Sequence, residues 1–284
     1  MFTVLDRISR PGHPDKPNED ICGVSGDWAW VIDTSIFPGT APVMHDKSDA
    51  AWLARFANER LSNLAPQAED GVTLLRHVMA EARTAYRAVA PKERHEDFVT
   101  WPLGAMTLVR RRGDTLDVWT FGDTTAYVRQ PDGAVQVLGD APGLREAEAA
   151  MAADLMRQAG SRPTAILDEP VFLAWLAERR ERQRKSGVPA ALLSFNPDAA
   201  DRLRHETAPC EEGTTILLAS DGFSALVDLY RAMEARALME AALASGLEPL
   251  ANLAREIETQ ADPDGTLYPR FKQSDDTTAI LLRA

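Results

Sequence analysis

The chain has 284 residues, 45% of them hydrophobic and 26% charged, with a net charge of −12. This is the profile of a soluble globular protein, long enough for one large domain or two small ones. No apolar run reaches the roughly 20 residues of a membrane helix, the polar opening MFTVLDRISRPGHPDKPNED does not read as a secretory signal, and the acidic balance disfavours a broad nucleic-acid surface. The expected setting is cytoplasmic, with no membrane or nucleic-acid partner.

Short β-like runs come first: FTVLD, then ICGVSG and WAWVID on either side of a turn at Gly26 and Asp27. Helices are expected over about Lys47 to Leu64 and Val72 to Val89. In the first of these Ala51, Leu53, Ala54, Phe56, Ala57 and Leu61 recur with helical spacing, and Pro66 and Pro91 stand where a helix should stop. A second β group follows, GAMTLVRR, TLDVWTFG, TAYVRQ and AVQVLG, punctuated by hairpin turns at Gly113-Asp114 and Pro131-Asp132-Gly133. From about residue 141 to 206 the composition turns to Ala, Arg and Glu, with helices expected near Leu144 to Ala159 and Glu169 to Lys185. Strand signals resume afterwards, so this stretch reads as a helical insertion or flap within a single domain spanning 1–284. Its basic run RRERQRK, Arg179 to Lys185, reads as the solvated face of a helix. The strand TTILLAS, helices over about Ser224 to Leu243 and Pro249 to Gln260, and the strand TTAILL complete the chain. Strands and helices do not alternate strictly, which favours an α+β fold with antiparallel sheets over a doubly wound parallel one.

One pattern repeats along this order, an acid at the end or mouth of an apolar run. Glu19 and Asp20 precede ICGVSG, Asp33 closes WAWVID, Asp123 closes VWTFGD, Asp221 closes TTILLAS, and Asp275 and Asp276 open TTAILL. Any one of them alone is most simply a turn or helix-cap residue. Together they point further, because neighbouring strands lie about 4.8 Å apart and carboxylates at their ends can converge. Converging carboxylates repel unless a cation neutralises them, and an oxygen-only ligand set suits Mg²⁺ or Mn²⁺. The five histidines (His13, His45, His77, His95 and His205) show no ligand spacing. Cys22 and Cys210 form no CxxC pair, and each reads as a free thiol with a disulfide left open. The six tryptophans fall in or beside periodic segments and read as core. There is no GxSxG elbow, no P-loop and no Cys-x5-Arg phosphate loop.

The set NED (Asn18 to Asp20), VID (Val31 to Asp33), GAMTLV (Gly104 to Val109), FGDTTAYV (Phe121 to Val128), ASDGFSALV (Ala219 to Val227) and SDDTTAILL (Ser274 to Leu282) resembles the metal-dependent protein phosphatases of type 2C, in the family's order and over nearly the whole chain. The resemblance implies a central antiparallel β-sandwich flanked by helices on both sides, in four layers αββα. It also implies two Mg²⁺ or Mn²⁺ ions and hydrolysis of phosphoserine or phosphothreonine monoesters by an activated water. Asp33, the backbone carbonyl of Thr34, Asp221 and Asp275 would be the metal ligands, with Asp33 bridging. Glu19, Asp20, Asp123 and Asp276 would lie around them or hold a further metal. The partner implied is a phosphorylated protein or a small phosphate monoester.

The pattern departs from the family at three places. The arginine expected shortly before NED to grip the substrate phosphate is absent, and Lys16 is the nearest cation, with Arg7 and Arg10 as other donors. The glycine-rich loop after the bridging Asp is replaced by DTSIFPG, which puts Thr34 where Gly is usual, and Ala225 stands where an extra acid is sometimes found. Two other readings follow: a catalytically degraded interaction module on the same fold, and a haloacid-dehalogenase-type phosphatase. The second arises because WAWVIDTS is similar to that class's nucleophile strand and Lys272 with Asp275-Asp276 to its later motifs.

Overall fold

The computed structural model describes residues 1–44, 47–139 and 143–284. Its strands, in chain order, are β1 (Thr3–Arg10), β2 (Asp20–Ser25), β3 (Trp28–Ser35), β4 (Leu103–Arg112), β5 (Thr115–Phe121), β6 (Thr125–Arg129), β7 (Val135–Leu138), β8 (Arg204–Pro209), β9 (Thr215–Ala219) and β10 (Thr277–Arg283). They form two five-stranded sheets, ordered β2-β3-β4-β5-β8 and β1-β10-β9-β6-β7. Every pairing within them is antiparallel.

The two-residue period of the strands sorts their side chains into layers. In β3, Trp28, Trp30 and Ile32 join a cluster with α1 (Asp49–Leu64) and α2 (Gly71–Val89) on the outer face of the first sheet. Ala29 and Val31 face the opposite way, into a cluster shared with Ile216, Leu218, Ile280 and Leu282 of the second sheet. Leu217, Ala219, Ala279 and Leu281 then face outwards again, onto α5 (Asp221–Asp228), α6 (Ala235–Ser245) and α7 (Glu248–Glu256). The result is the expected α+β sandwich with helices on both outer faces. Full burial of side chains such as Trp30, Ile32 and Leu218 contributes about 1.5–3 kcal/mol each for the aliphatic and aromatic types. Ser48 and Asp70 cap α1 and α2 by accepting from backbone amides of the first turn.

Between β7 and β8 the chain forms α3 (Leu144–Ala159) and α4 (Pro170–Lys185), which share a small core of Leu155, Met156, Ile166 and Phe172. Residue 141, where the insertion was expected to begin, lies outside the described residues, as does His45. The basic run on α4 is not wholly solvated. Arg180 is buried and donates to the carbonyls of Val99 (2.6 Å) and Trp101 (3.0 Å), pinning α4 to the loop before β4.

Two other expectations are corrected. The single helix over Ser224 to Leu243 is two, α5 and α6, broken where Arg231 takes a left-handed φ of 49° and Tyr230 turns inward. Strand β8 (Arg204–Pro209) is not among the expected strands, and the expected end of the insertion at about residue 206 falls within it. Its side chains are mostly exposed, so no apolar alternation marks it. Helix α7 runs on through one π turn, Ile257–Ala261. Cys22 and Cys210 are free thiols.

Candidate active site

Antiparallel pairing brings strand ends that are far apart in sequence to one end of the sandwich. Asp20 and Asp33 are register partners across β2 and β3. Directly opposed like charges destabilise a strand pair, so this is an expensive arrangement for structure alone. Asp221 begins α5, immediately after β9. Asp275 and Asp276 immediately precede β10, the neighbour of β9, and Asp123 follows the end of β5. Gly222 lets α5 start this close to the final strand: a Cβ there would lie 2.1 Å from the Asp276 carbonyl oxygen.

A cleft of about 1040 Å³ opens over these residues. Glu19, Asp33, Asp123, Asp221, Asp275 and Asp276 line its floor, and Glu148, Trp175 and Arg179 of α3 and α4 line its roof. Thr34 is buried in β3, its hydroxyl at 2.6 Å from the Glu19 carbonyl and 2.9 Å from that of Ala50. Asp276 accepts from the backbone amides of Gly12 (2.7 Å) and Glu19 (2.6 Å), so it fastens the N-terminal loop to the final strand. Glu19 accepts from Ser48, the cap of α1. Lys16 is exposed at the cleft rim, and Arg10 is drawn away to Glu248 and Asn252 on α7.

The electrostatics follow from the crowding. Burial, then repulsion from Asp20, Asp221 and Asp275, pushes the Asp33 carboxyl well above the usual carboxylate range. Burial and Asp276 do the same to Asp20. Burial raises Glu19 against the Ser48 bond, and raises Asp123 to about 6 with help from Asp221. Asp275 is raised by burial in spite of Lys272. Asp221 alone falls: burial opposes its charge, but Arg145 and a contact with the Asp33 carboxyl outweigh it. Such a concentration of displaced carboxyls in a cleft marks a functional site.

Two cations stand inside this cluster, and sequence reasoning did not assign either to it. The Lys272 ammonium lies 2.6 Å from Asp275 Oδ1. The Arg145 guanidinium, from the start of α3, reaches Asp221 Oδ2 (3.3 Å), the Asp221 carbonyl (3.1 Å), Asp228 Oδ1 (3.3 Å) and Glu148 Oε2 (3.5 Å). The signal for Lys272 was its place three residues before Asp275. Arg145 had no such mark, because its partners lie more than seventy positions away in Asp221 and Asp228.

Among the described residues, no three His, Cys, Asp or Glu side chains are already set as a metal cage. The donor set nevertheless fits a hard divalent cation. It is all oxygen, it is mutually repulsive, and the buried oxygens Asp20 Oδ2 and Asp221 Oδ1 lack any hydrogen-bond partner.

Comparison with known proteins agrees with this geometry. The protein phosphatase 2C family profile matches residues 13–258. The chain belongs to the protein phosphatase 2C family. Its enzyme class is therefore that of the metal-dependent serine/threonine phosphatases, as the sequence motifs implied. The Mycobacterium tuberculosis serine/threonine phosphatase PstP/Ppp superposes with a TM-score of 0.59 at 14% identity, over 100% of this chain and 97% of that one. The PPM Ser-Thr phosphatase MsPP from Mycobacterium smegmatis, solved with cacodylate, gives 0.53 at 19% identity over 99% of each chain. The catalytic domain of PstP in complex with two manganese ions gives 0.52 at 15%, over 100% and 97%. At these identities the structures show a shared fold. A search of curated proteins gives no match. The haloacid-dehalogenase reading falls on the topology: it needs a parallel sheet, and both sheets of this 2C-type fold are antiparallel. The interaction-module reading is likewise not favoured.

Proposed function

We propose that this 2C-type phosphatase hydrolyses phosphoserine and phosphothreonine monoesters in proteins with two divalent cations, Mg²⁺ or Mn²⁺. The observation that carries the reading is the convergence of Asp20, Asp33, Asp221 and Asp275 at one end of the sandwich, with buried carboxylate oxygens left unpartnered. Asp33, the Thr34 carbonyl, Asp221 and Asp275 would hold the ions, with Glu19, Asp20, Asp123 and Asp276 around them. Manganese in the related PstP domain supports this choice of metal. When bound, the ions lower the pKa of a water and offset charge on the phosphoryl group.

The chain's own residues do the positioning. Asp276 ties the loop carrying Glu19 to the segment carrying Asp275, so the two sides of the floor move together. Helices α3 and α4 of the inserted stretch act as a flap: they roof the cleft and shield the reacting group from bulk water. Lys16, at the rim, draws a phosphate towards the floor as a point charge. A cytoplasmic location and a phosphorylated protein or small phosphate monoester as partner complete the reading. No described helix is long and apolar enough to cross a membrane, and a net charge of −12 opposes nucleic acid.

The test is Mn²⁺-dependent hydrolysis of a phosphopeptide and of p-nitrophenyl phosphate by the wild type and by Asp221→Asn. The expected loss in the variant is on the order of a thousandfold or more. Equal rates, or no metal-dependent rate in the wild type, would overturn the proposal.

A further inference from the structure

A phosphate monoester is a dianion, and the floor it must approach is crowded with carboxylates. A protein cation beside the ions would steady it, and the arginine expected before NED is absent. Seven Lys and Arg side chains line the cleft: Lys16, Lys47, Arg145, Arg179, Arg180, Arg270 and Lys272, of which Arg180 and Arg270 are buried. Arg179 lies over the Trp175 ring at 5.5 Å, and Arg180 is spent on two backbone carbonyls. Arg145 is surrounded by Asp221, Asp228 and Glu148. Lys16 and Lys47 are exposed side chains of the cleft lining, on the surface and not at its floor.

Lys272 differs from all of these. Its ammonium pairs with Asp275 at 2.6 Å, with Asp33 and Asp221 acting on it from further off, and its side chain lines the cleft and is 38% exposed. An ammonium has three donors, and among the described residues Asp275 takes one of them. The segment that carries it is held on both sides. Arg270 is buried and paired with Asp262 at 2.9 Å. Phe271 packs against Phe172 and Trp175, with ring centroids 5.2 and 5.5 Å away. The Asp275 carbonyl accepts from Arg255 at 2.6 Å, and Asp276 is bound by two amides. A cation on so fixed a segment is preorganised for a ligand.

Resting on the phosphatase reading above, we propose that Lys272 is the residue that grips the substrate's phosphoryl group, in place of the missing arginine. It acts by charge and hydrogen bonding, without the planar fork of a guanidinium. Asp275 aims it from one side, and Phe271 anchors it to the flap, so the phosphate site and the roof of the cleft share one short segment.

Calorimetric titration of the Mn²⁺-loaded chain with inorganic phosphate tests this, alongside KM and kcat on a phosphopeptide. Lys272→Met and Lys272→Gln should each weaken phosphate binding about tenfold or more and raise KM by a similar factor, with a smaller change in kcat. Lys272→Arg should stay within about threefold of the wild type, and Lys16→Met should cost about threefold at most. In the unmutated chain, phosphate should protect Lys272 from acetic anhydride labelling, read by mass spectrometry. That measurement does not depend on any variant folding. Unprotected Lys272, phosphate affinity unchanged in Lys272→Met and Lys272→Gln, or a larger loss in Lys16→Met would each overturn the proposal. Unchanged phosphate affinity with tighter Mn²⁺ binding would reduce Lys272 to a counter-ion of Asp275. A wild type that binds phosphate but hydrolyses no monoester would sink the phosphatase reading and leave the titration valid.

Discussion

Two groups of inward-facing charge meet at the segment before β10, and they are built on opposite rules. In the first, every partner is supplied. Arg270 donates to Asp262, to the carbonyls of Tyr268 and Gln273 (each 2.9 Å) and to that of Glu258. Asp262 accepts three backbone amides, and Glu258 accepts from Tyr230 (2.9 Å) and Arg255 (2.5 Å). In the second, acids outnumber cations, contacts to Arg145 are 3.1 Å or longer, and Asp20 Oδ2 and Asp221 Oδ1 have no partner. A satisfied network holds a loop in place; an unsatisfied one at the floor of a cleft is kept for something that binds there.

The sharpest break in this contrast comes from Asp33→Asn. It should abolish metal-dependent hydrolysis, by about a thousandfold or more, while thermal unfolding in a chelator shows a metal-free fold no less stable than wild type. Relief of the Asp20–Asp33 opposition accounts for the sign. A clear fall in metal-free stability would mean that the acid cluster is structural.

Arg270→Met should act the other way. It strands Asp262 without its cation and should cost about 3–5 kcal/mol in urea denaturation. Arg145→Met should cost less, about 1–3 kcal/mol without metal, because its partners are partly open to solvent. Added Mn²⁺ should shrink that loss, since the ion takes over the neutralisation of Asp221. An equal loss with and without Mn²⁺ would place Arg145 with the structural network.

The smallest expected effects are in pH dependence, and their signs differ between the two networks. Burial works against the Asp262 charge, but the amides of Leu267, Tyr268 and Thr266 and the Arg270 ion pair hold its carboxyl below the usual range. Its contribution is therefore complete above the unfolded value near 3.8 and fades as pH falls through the lower folded value. Burial, then Asp123, lifts Glu148 to about 7. The fold favours its protonated form, so stability is lost as pH climbs from its ordinary value near 4.5 towards about 7. Glu148→Gln should remove about 1 kcal/mol of that decline, discounted for the group's partial exposure, in melts of metal-free protein between about pH 4.5 and 7. A decline as steep as the wild type's would refute the assignment to Glu148.

Much of the sandwich was legible because its central strands are buried on both faces and read as short apolar runs, and its turns carry Gly, Asp and Pro. The acids stood out for the same reason, each at the edge of an apolar run. Strand β8 was not legible, since its exposed side chains carry no alternation. The break between α5 and α6 was hidden because the apolar period runs on past Arg231, whose backbone leaves the helix without a Gly or Pro to announce it. Arg145 and Lys272 show a deeper limit. A cation's partners are set by tertiary approach, and Arg145 meets Asp221 from a helix inserted between distant strands.

The return of the inserted helices to the sheet has a mechanical consequence. Just before β8's approach, Leu193 exchanges two hydrogen bonds with Gly104, N–H to carbonyl in each direction at 2.8 Å. Gly104 pairs in register with Thr34, one residue beyond Asp33. The roof is thus stitched at its trailing end to the strand beside the acid floor. The same roof is held elsewhere by Arg180 on the carbonyls of Val99 and Trp101 and by Arg145 on Asp221, so it is clamped at several points along its length. Amide exchange should therefore be slow at Gly104 and Leu193 and fastest in the exposed last turn of α4, where none of these clamps acts.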